Sequence, residues 1–385
     1  MTAQDPKPEV DIAVCGAGPV GLAFALLLVK RGLPAERIRL IDAKSVEQAA
    51  DDPRSIALSY GSKQIMEEIG AWPITADAIH QIHVSRRQRF GKALIDRAEF
   101  NLPALGYVAR YGALASALNA CATQAGITIL RPQQVTGIEE TASAVTVALA
   151  DGSAIHAGIA VQAEGGVFAE QAGRAVRRDY DQTGIIAQCW TSAAIPHRAF
   201  ERFTDEGPLA LLPQDDGYSL VWCVRPAHAA ELLALSDAAF LAELEQTFGT
   251  RVGRFVRVTP RVAFPLGLNA QPMATARTVA IGNAAQTLHP VSGQGLNLGL
   301  RDAAVLAQAL AQQDGASAIA QFTAQRQTDR RLTIGLTDTL ARIFTAEAGG
   351  APAQTLLGAG LGLVDAFKPA KRVLAEHLMF GWRTR

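Results

Sequence analysis

The feature that most restricts how this chain can fold lies at its start. Asp11 to Cys15 is a short apolar run ended by Gly16, and the turn Gly16-Ala17-Gly18-Pro19-Val20-Gly21 leads into Leu22 to Lys30, apolar on nearly every face. A second apolar run, Arg37 to Ile41, ends at Asp42. Strand, glycine turn, buried helix and second strand make a Rossmann-like unit of a parallel sheet. Gly16 permits the tight turn, Gly18 lets a diphosphate approach the backbone, and Gly21 lets the helix pack on the strand. Asp42, 21 positions after Gly21, is placed to accept hydrogen bonds from an adenosine ribose. The pattern selects a dinucleotide without saying which one.

A second glycine-bearing stretch lies far along the chain. Val279, Ala280 and Ile281 form a strand end, Gly282 breaks it, and Gly293 and Gly295 flank the start of a helix running from Leu296 to Leu310. An approach of this kind leaves unpaired backbone N–H groups and a partial positive charge at the helix start, suited to an anionic or electron-rich ligand edge.

Composition excludes several classes. Lys plus Arg (36) balance Asp plus Glu (36), so no net field draws nucleic acid. Cys15, Cys121, Cys189 and Cys223 are far apart and form no C-x-x-C pair, which speaks against a disulfide framework or structural zinc. Met1 to Glu9 is polar, and no window offers the ~20 apolar residues of a spanning helix. The expected location is cytoplasmic, with peripheral contact at the inner face of the cytoplasmic membrane left open.

Along the chain, Arg54 sits after a proline in a polar loop, placed to meet a ligand or solvent. Tyr111 to Gln124 reads as a helix and Ile127 to Leu130 as a strand, while Val145 to Leu149 and Ile155 to Val161 form a hairpin over Asp151-Gly152. From Gly184 the runs Ile185 to Trp190, Leu209 to Leu212, Tyr218 to Val224 and Arg257 to Pro265 are of β type, with one helix, Ser236 to Phe248. The expected division is a nucleotide-binding lobe over 1–183 with an inserted β segment near 79–110, and an antiparallel substrate lobe over 184–276. A return to the first lobe over 277–345 and a helical segment over 346–385 follow.

These residues resemble the class A FAD-dependent aromatic hydroxylases, and within them the ubiquinone-biosynthesis branch that acts on polyprenyl-methoxyphenols. The resemblance covers nearly the whole chain. It rests on Gly16-x-Gly18-x-x-Gly21 with Asp42, on Asp52-Pro-Arg54-Ser-Ile-Ala-Leu58, and on Gly282-Asn283-Ala-Ala-Gln-Thr-Leu-His289-Pro290. It continues through Gly293-Gln-Gly295-Leu296-Asn297-Leu-Gly299-Leu-Arg301-Asp302, Phe322-x-x-x-Arg326-x-x-Asp329 and Thr337-Asp338-x-Leu340.

The resemblance implies an α/β fold: a Rossmann-like FAD-binding lobe of the GR2 type, an antiparallel-sheet substrate lobe and a C-terminal helical region. It implies FAD as cofactor and NAD(P)H as a transient reductant. Reduced flavin would react with O₂ to a C4a-hydroperoxide, and the distal oxygen would pass to the ring of a polyprenyl phenol. Gly282 and Asn283 would lie under the ribityl chain and diphosphate, and the helix start with Gly293, Gly295, Leu296 and Asn297 would face the flavin N1–C2=O edge. His289 and Pro290 would stand at the reacting centre as pocket wall, since no carboxylate is paired with His289 in the sequence. Arg54 and Arg110 are further expected FAD contacts.

The chain departs from the family where a strand ends in Glu164-Gly165-Gly166 instead of the usual Asp-Gly, which puts the NAD(P)H arrangement and the contact of Glu164 in question. Leu356, Leu357, Leu361, Leu363, Val364 and Phe367, followed by Lys368, Lys371 and Arg372, could lie at a bilayer surface or pack as a core helix. Association with other enzymes of the pathway is a further expectation. The rival readings are a flavin hydroxylase of a small soluble aromatic compound and a non-catalytic flavin-binding assembly protein. The middle lobe, with Leu209, Leu211, Leu212, Val221 and Trp222, is apolar in the manner of a prenyl channel.

Overall fold

The computed structural model describes residues 8–87, 92–164, 177–270, 274–287, 293–345, 372, 375–377 and 379–381. The first strands are β1 (Val10–Cys15), β2 (Ile38–Ile41), β3 (Ser55–Ser59), β4 (Ala76–Ile79), β5 (Gln81–Arg86), β6 (Lys92–Asp96) and β7 (Gly106–Arg110). Then come β8 (Thr128–Leu130), β9 (Val135–Glu140), β10 (Val145–Leu149), β11 (Ala154–Gln162), β12 (Arg177–Thr191) and β13 (Arg198–Phe203). The rest are β14 (Pro208–Gln214), β15 (Gly217–Val224), β16 (Phe255–Val258), β17 (Val262–Ala270), β18 (Thr278–Ala280) and β19 (Gln286–Thr287). The helices are α1 (Pro19–Lys30), α2 (Val46–Ala50), α3 (Tyr60–Glu68), α4 (Tyr111–Gln124), α5 (Pro226–Ala234), α6 (Asp237–Phe248), α7 (Gln294–Gln312) and α8 (Gly315–Thr345).

A seven-stranded sheet runs β8-β2-β1-β11-β10-β9, with β18 also on β11. Its centre is parallel: β1 pairs with β2 and β11, β2 with β8, and β11 with β18. Parallel strands are covered on both faces and therefore read as continuous apolar runs. The same cover explains α1, whose Leu22, Phe24, Leu27 and Leu28 are buried in one cluster with Leu300 and Leu306 of α7 and Leu114 and Leu118 of α4. A helix packed on several sides has no polar face to show.

The second sheet has nine strands in the order β19-β17-β12-β15-β14-β13-β5-β6, with β16 on β12, and β3-β7-β4 form a small third sheet. β5 and β6, from the segment near 79–110, thus belong to the nine-stranded sheet, where β5 lies parallel to β13. β12 runs across the boundary expected at 183/184, pairing with β17 through its first half and with β15 and β16 beyond.

Two details differ from expectation. The run Arg257 to Pro265 is two strands, β16 and β17, interrupted around Pro260, whose missing N–H cannot serve a ladder. A second helix, α5, precedes α6 and starts with Pro226 at its first turn, where a proline costs no hydrogen bond.

Strand alternation divides the middle-lobe apolar residues between two faces. Leu209, Leu211 and Trp222 join Ile185, Leu220 and Phe200 in a core closed by Leu232 of α5 and Phe240, Leu244 and Phe248 of α6. Only Leu212 and Val221 of the expected channel residues point the other way. That face docks on the small third sheet: Ala199, Ile82 and Leu212 pack with Ile79 of β4 and Val108 of β7, and Ser55 Oγ donates to Gln214 Oε1 at 2.7 Å.

Among the described residues no helix is long and apolar enough to cross a membrane. Ala375 and Met379 of the tail pack with Leu105, and Arg372 pairs with Glu376. Leu356 to Lys371 lie outside the described residues.

Candidate functional site

The C-terminal ends of β1, β2, β8, β11 and β18 open on one edge of the parallel sheet, and the two glycine motifs meet there. Gly16 has φ +107°, and a Cβ on it would sit 2.7 Å from the backbone of Ala163 and Glu164. A Cβ on Gly21 would sit 1.9 Å from Gly16 O, so this glycine is required by helix–strand packing. Gly282, at φ +60°, would place a Cβ 3.2 Å from Val20, and one on Gly299 would come 2.7 Å from Val20 and 3.1 Å from Gly282 Cα. Val20 is therefore the point at which segments some 260 positions apart converge.

Gly18 is different. A Cβ there would meet only Tyr111 Oη, at 3.4 Å, so the protein's own packing does not demand a glycine. No side chain caps α1 and no acidic residue stands in its first turn, which leaves its first N–H groups and dipole facing that space. Space, free donors and a glycine without an internal reason together fit a diphosphate.

Asp42 braces this turn itself. Its Oδ2 accepts from Ala17 N at 2.7 Å and its Oδ1 from Lys44 N at 2.8 Å, while each oxygen keeps a lone pair for a ribose hydroxyl. Arg131, not foreseen from the sequence, stands 3.8 Å from Asp42 and donates to Ala17 O. It directly follows β8, whose parallel register with β2 sets Leu130 beside Ile41. The signal was therefore the register of two parallel strands, which spacing alone does not give.

Arg54 is held as a fork on Asp52, with Nε 2.9 Å from Oδ1 and Nη2 2.7 Å from Oδ2. Its guanidinium lies 4.8 Å from the centre of the Tyr111 ring, whose hydroxyl borders Gly18. Burial pushes Asp52 up, but the hydrogen bonds and charge of Arg54 outweigh it and hold the carboxyl below its usual range. Glu164 is exposed at the end of β11. With burial as the larger cause, its charge helps push the Cys15 thiol up to about 12. Arg110 turns away to pair with Asp215 of the second sheet at 2.7 Å, with Gln188 at 3.4 Å.

The start of α7 forms the other end of the site. Its N-cap, Gly293, has φ +59° and no side chain caps the helix. A Cβ on Gly295 would meet only Asn283 Oδ1, at 3.9 Å, so turn and helix start lie side by side around open space. Leu296 sends its side chain to the core and can serve a ligand only through its backbone.

Asn297 departs from the expectation of a cofactor-binding side chain. Its Nδ2 donates to Ala57 O at 3.0 Å and Gly293 O at 2.8 Å. Its Oδ1 accepts from Ser59 N at 2.8 Å and Ser62 Oγ at 2.7 Å. All four polar valences of the amide are used within the protein, so Asn297 ties the α7 start to β3 and α3. His289 and Pro290 lie outside the described residues.

Behind the Gly282 turn is a buried charge network. Asp302 is fully buried. Its Oδ2 accepts from Gly282 N at 3.2 Å, Gln286 Nε2 at 3.0 Å and Arg330 Nη2 at 2.9 Å, and its Oδ1 from Arg326 Nε at 2.7 Å. One carboxylate thus grips both ends of the turn. Burial alone would push Asp302 up, but Arg326 and Arg330 hold it below the usual carboxylate range. Arg326 also bonds Asp329, which lies 3.5 Å from Arg301, and Arg301 donates to His377 O in the tail at 3.3 Å. Arg301, Asp302, Arg326 and Asp329 fall in the sequence motifs around 301–302 and 326–329 and Arg330 just beyond them, but nothing in the sequence assigned them a partner.

An uncapped glycine turn beside a ribose-type acid and a second glycine turn beside an open helix start define a dinucleotide-binding protein. Residues 9–333 match the family model described as FAD binding domain. The ubiquinone hydroxylase UbiL of Rhodospirillum rubrum is 32% identical, over 96% of this chain and 89% of that protein. The 3-demethoxyubiquinol 3-hydroxylase of Escherichia coli is 29% identical, over 78% of this chain and 79% of its own length. The structure of p-nitrophenol 4-monooxygenase PnpA from Pseudomonas putida superposes with a TM-score of 0.77 at 15% identity, covering 98% of this chain and all of that one. The chain belongs to the FAD-binding domain family and is an FAD-dependent monooxygenase with the class A flavoprotein fold.

Proposed function

We propose that this enzyme hydroxylates the aromatic ring of a polyprenylated phenol in ubiquinone biosynthesis, consuming NAD(P)H and O₂. The relatives named as a ubiquinone hydroxylase and as a 3-demethoxyubiquinol 3-hydroxylase support the reaction class. The observation that carries the substrate class is the sheet face turned to the FAD lobe. There Val84, Ile186, Ala210, Leu212, Val221 and Phe264 are half-buried, an apolar wall suited to an aromatic ring with a hydrocarbon tail.

FAD, reduced by NAD(P)H, supplies the oxygen-activating chemistry when bound. The chain's own residues then have limited tasks. Gly16, Gly18, Gly21 and Asp42 hold the ADP half, with Arg54 and Glu164 at its border. Gly282, Asn283, Gly293, Gly295 and the backbone of Leu296 hold the flavin end, and the α7 dipole favours negative charge there. The resemblance assigns His289 and Pro290, outside the described residues, to the wall of the reacting centre. Arg110 ties the first lobe to the second. The apolar wall excludes water and orients the ring. Because a prenyl tail resides in a bilayer, this reading includes peripheral contact with the inner face of the cytoplasmic membrane and association with other pathway enzymes.

Purified protein supplied with FAD, NAD(P)H, labelled O₂ and a polyprenyl methoxyphenol should insert one labelled oxygen atom into the ring. Cells lacking the gene should accumulate the unhydroxylated phenol, and an unchanged ubiquinone pool would overturn the pathway assignment. Flotation with liposomes tests the membrane contact: protein that stays at the bottom of the gradient removes it.

A further inference from the structure

The nine-stranded sheet has two unlike faces. On the helix-covered face Ile185, Phe200, Leu211, Leu220 and Trp222 are 0–2% exposed. On the face turned to the FAD lobe, register aligns Val84, Glu201, Ala210, Val221 and Ile186 in one row across five strands. Every member of that row is only half-buried. The adjacent row, Ile82, Ala199 and Leu212, is packed against Ile79 and Val108 of the FAD lobe. The sheet therefore docks along one row and stands off along the next. β3 links this face to the flavin end, since Ser55 bonds Gln214 while Ala57 borders Gly293 and bonds Asn297.

Glu201 is the one carboxyl in the open row. Its Oε1 is shielded from solvent and has no hydrogen-bond partner. Burial, with no other cause, pushes the group up to about 7. A carboxyl with an unpartnered oxygen in an apolar wall weakens a fold, and no contact among the described residues explains its presence. Among the described residues, the following titratable and charged groups lie on the elements around it. By strand alternation Arg86 of β5 and Cys223 of β15 share its face; both are buried, and Cys223 is pushed up by burial and by Glu201. On β4 of the FAD lobe, Asp77 accepts from Asp215 N at 2.8 Å. His83 and Arg202 point to the opposite face, where His83 meets Arg251 and Arg202 meets Thr247 O.

We propose that Glu201 is the catalytic base that removes the phenolic proton of the substrate. The proposal rests on the reading of this enzyme as a phenol hydroxylase. The carboxylate takes the O–H proton, the O–H bond breaks, and its electron pair stays on oxygen as phenolate. The added density raises the nucleophilicity of the ring positions ortho and para to that oxygen. One atom of O₂ then enters the ring as hydroxyl and the other leaves as water, with NAD(P)H supplying a hydride and solvent two protons. The ring carbon gives its proton to solvent, and Glu201 returns its proton to the phenolate oxygen. A base of this kind contributes about 10²–10⁴-fold and works best when its pKa lies near the operating pH.

The test compares Glu201→Gln and Glu201→Asp with wild-type holoenzyme. FAD titration by fluorescence comes first, and unchanged FAD affinity separates the base from cofactor loss. In the wild type kcat should rise with pH through a limb near 7, as the carboxyl ionises. Glu201→Gln should lose about 10²-fold in kcat together with that limb, and Glu201→Asp should keep part of both. A fluorinated phenol already ionised at neutral pH should restore the Gln variant. Its melting temperature above pH 7 should equal or exceed that of the wild type, because a desolvated charge has gone. A Gln variant with wild-type kcat and an unchanged limb overturns the proposal. A wild-type holoenzyme that oxidises NAD(P)H yet hydroxylates no prenylated phenol overturns the substrate reading and the proposal with it.

Discussion

Asp302 should couple the stability of the fold to FAD binding, and replacing it with Asn measures the coupling. The carboxylate neutralises Arg326 and Arg330 and accepts from Gly282 N. Asn keeps the shape but loses the charge, and its NH₂ must face one of these donors. Removing one partner of a fully buried ion pair costs about 3–5 kcal/mol. Unfolding entropy of about 2.1 cal/mol/K per residue, over 385 residues, amounts to about 0.8 kcal/mol/K, so the melting temperature should fall by about 4–6 °C. Loosening the Gly282 anchor, about 1–1.5 kcal/mol for one hydrogen bond, should weaken FAD about tenfold. Scanning fluorimetry reads the first effect and quenching of flavin fluorescence on titration reads the second. The pH dependence has a definite sign. The folded carboxyl is depressed below its ordinary 3.8, so its stabilisation is present above that value and is lost as pH falls through the folded pKa. The gap between wild type and variant should therefore hold at neutral pH and close only in strong acid. Equal melting temperatures and equal FAD affinity at pH 7 would refute the bracing role.

Other substitutions separate the parts of the site. Gly18→Val should fold, since only Tyr111 Oη lies near, yet lose FAD binding. Gly21→Val should give little soluble protein, because its Cβ meets Gly16 O at 1.9 Å; circular dichroism and flavin content distinguish the two. Arg131→Met removes the donor to Ala17 O and should weaken FAD about tenfold by freeing the loop and Asp42, with unchanged secondary structure; an unchanged titration would remove Arg131 from the site. Asn297→Leu strands Ser59 N and Ser62 Oγ and should lower stability by about 2–4 kcal/mol, measured by urea unfolding. A double-mutant cycle of Asp302→Asn with Arg330→Met should show coupling of about 1–3 kcal/mol.

What could be read from the sequence followed from how local each constraint is. The turn at Gly16–Gly21 is dictated by backbone positions that admit no side chain, and these leave glycines in the sequence itself. The α4 and β10 spans matched because their apolar periodicity is not interrupted. The middle lobe was legible as strands but not as faces. A run such as Leu209-Ala210-Leu211-Leu212 is apolar in both phases, and only pairing with β13 and β15 decides which residues meet α6 and which face the FAD lobe. Arg131, Asp302 and Glu201 were invisible as site residues for the same reason. Each is an ordinary charged residue whose meaning lies in a neighbour brought from elsewhere in the chain, or, for Glu201, in the want of one. A partner can be inferred from sequence when spacing forces it, as Asp52 and Arg54 are forced together across two residues. A missing partner leaves no spacing to find. An unpaired carboxyl in an apolar row becomes informative only once the row exists, and it then asks to be explained by what the row is built to hold.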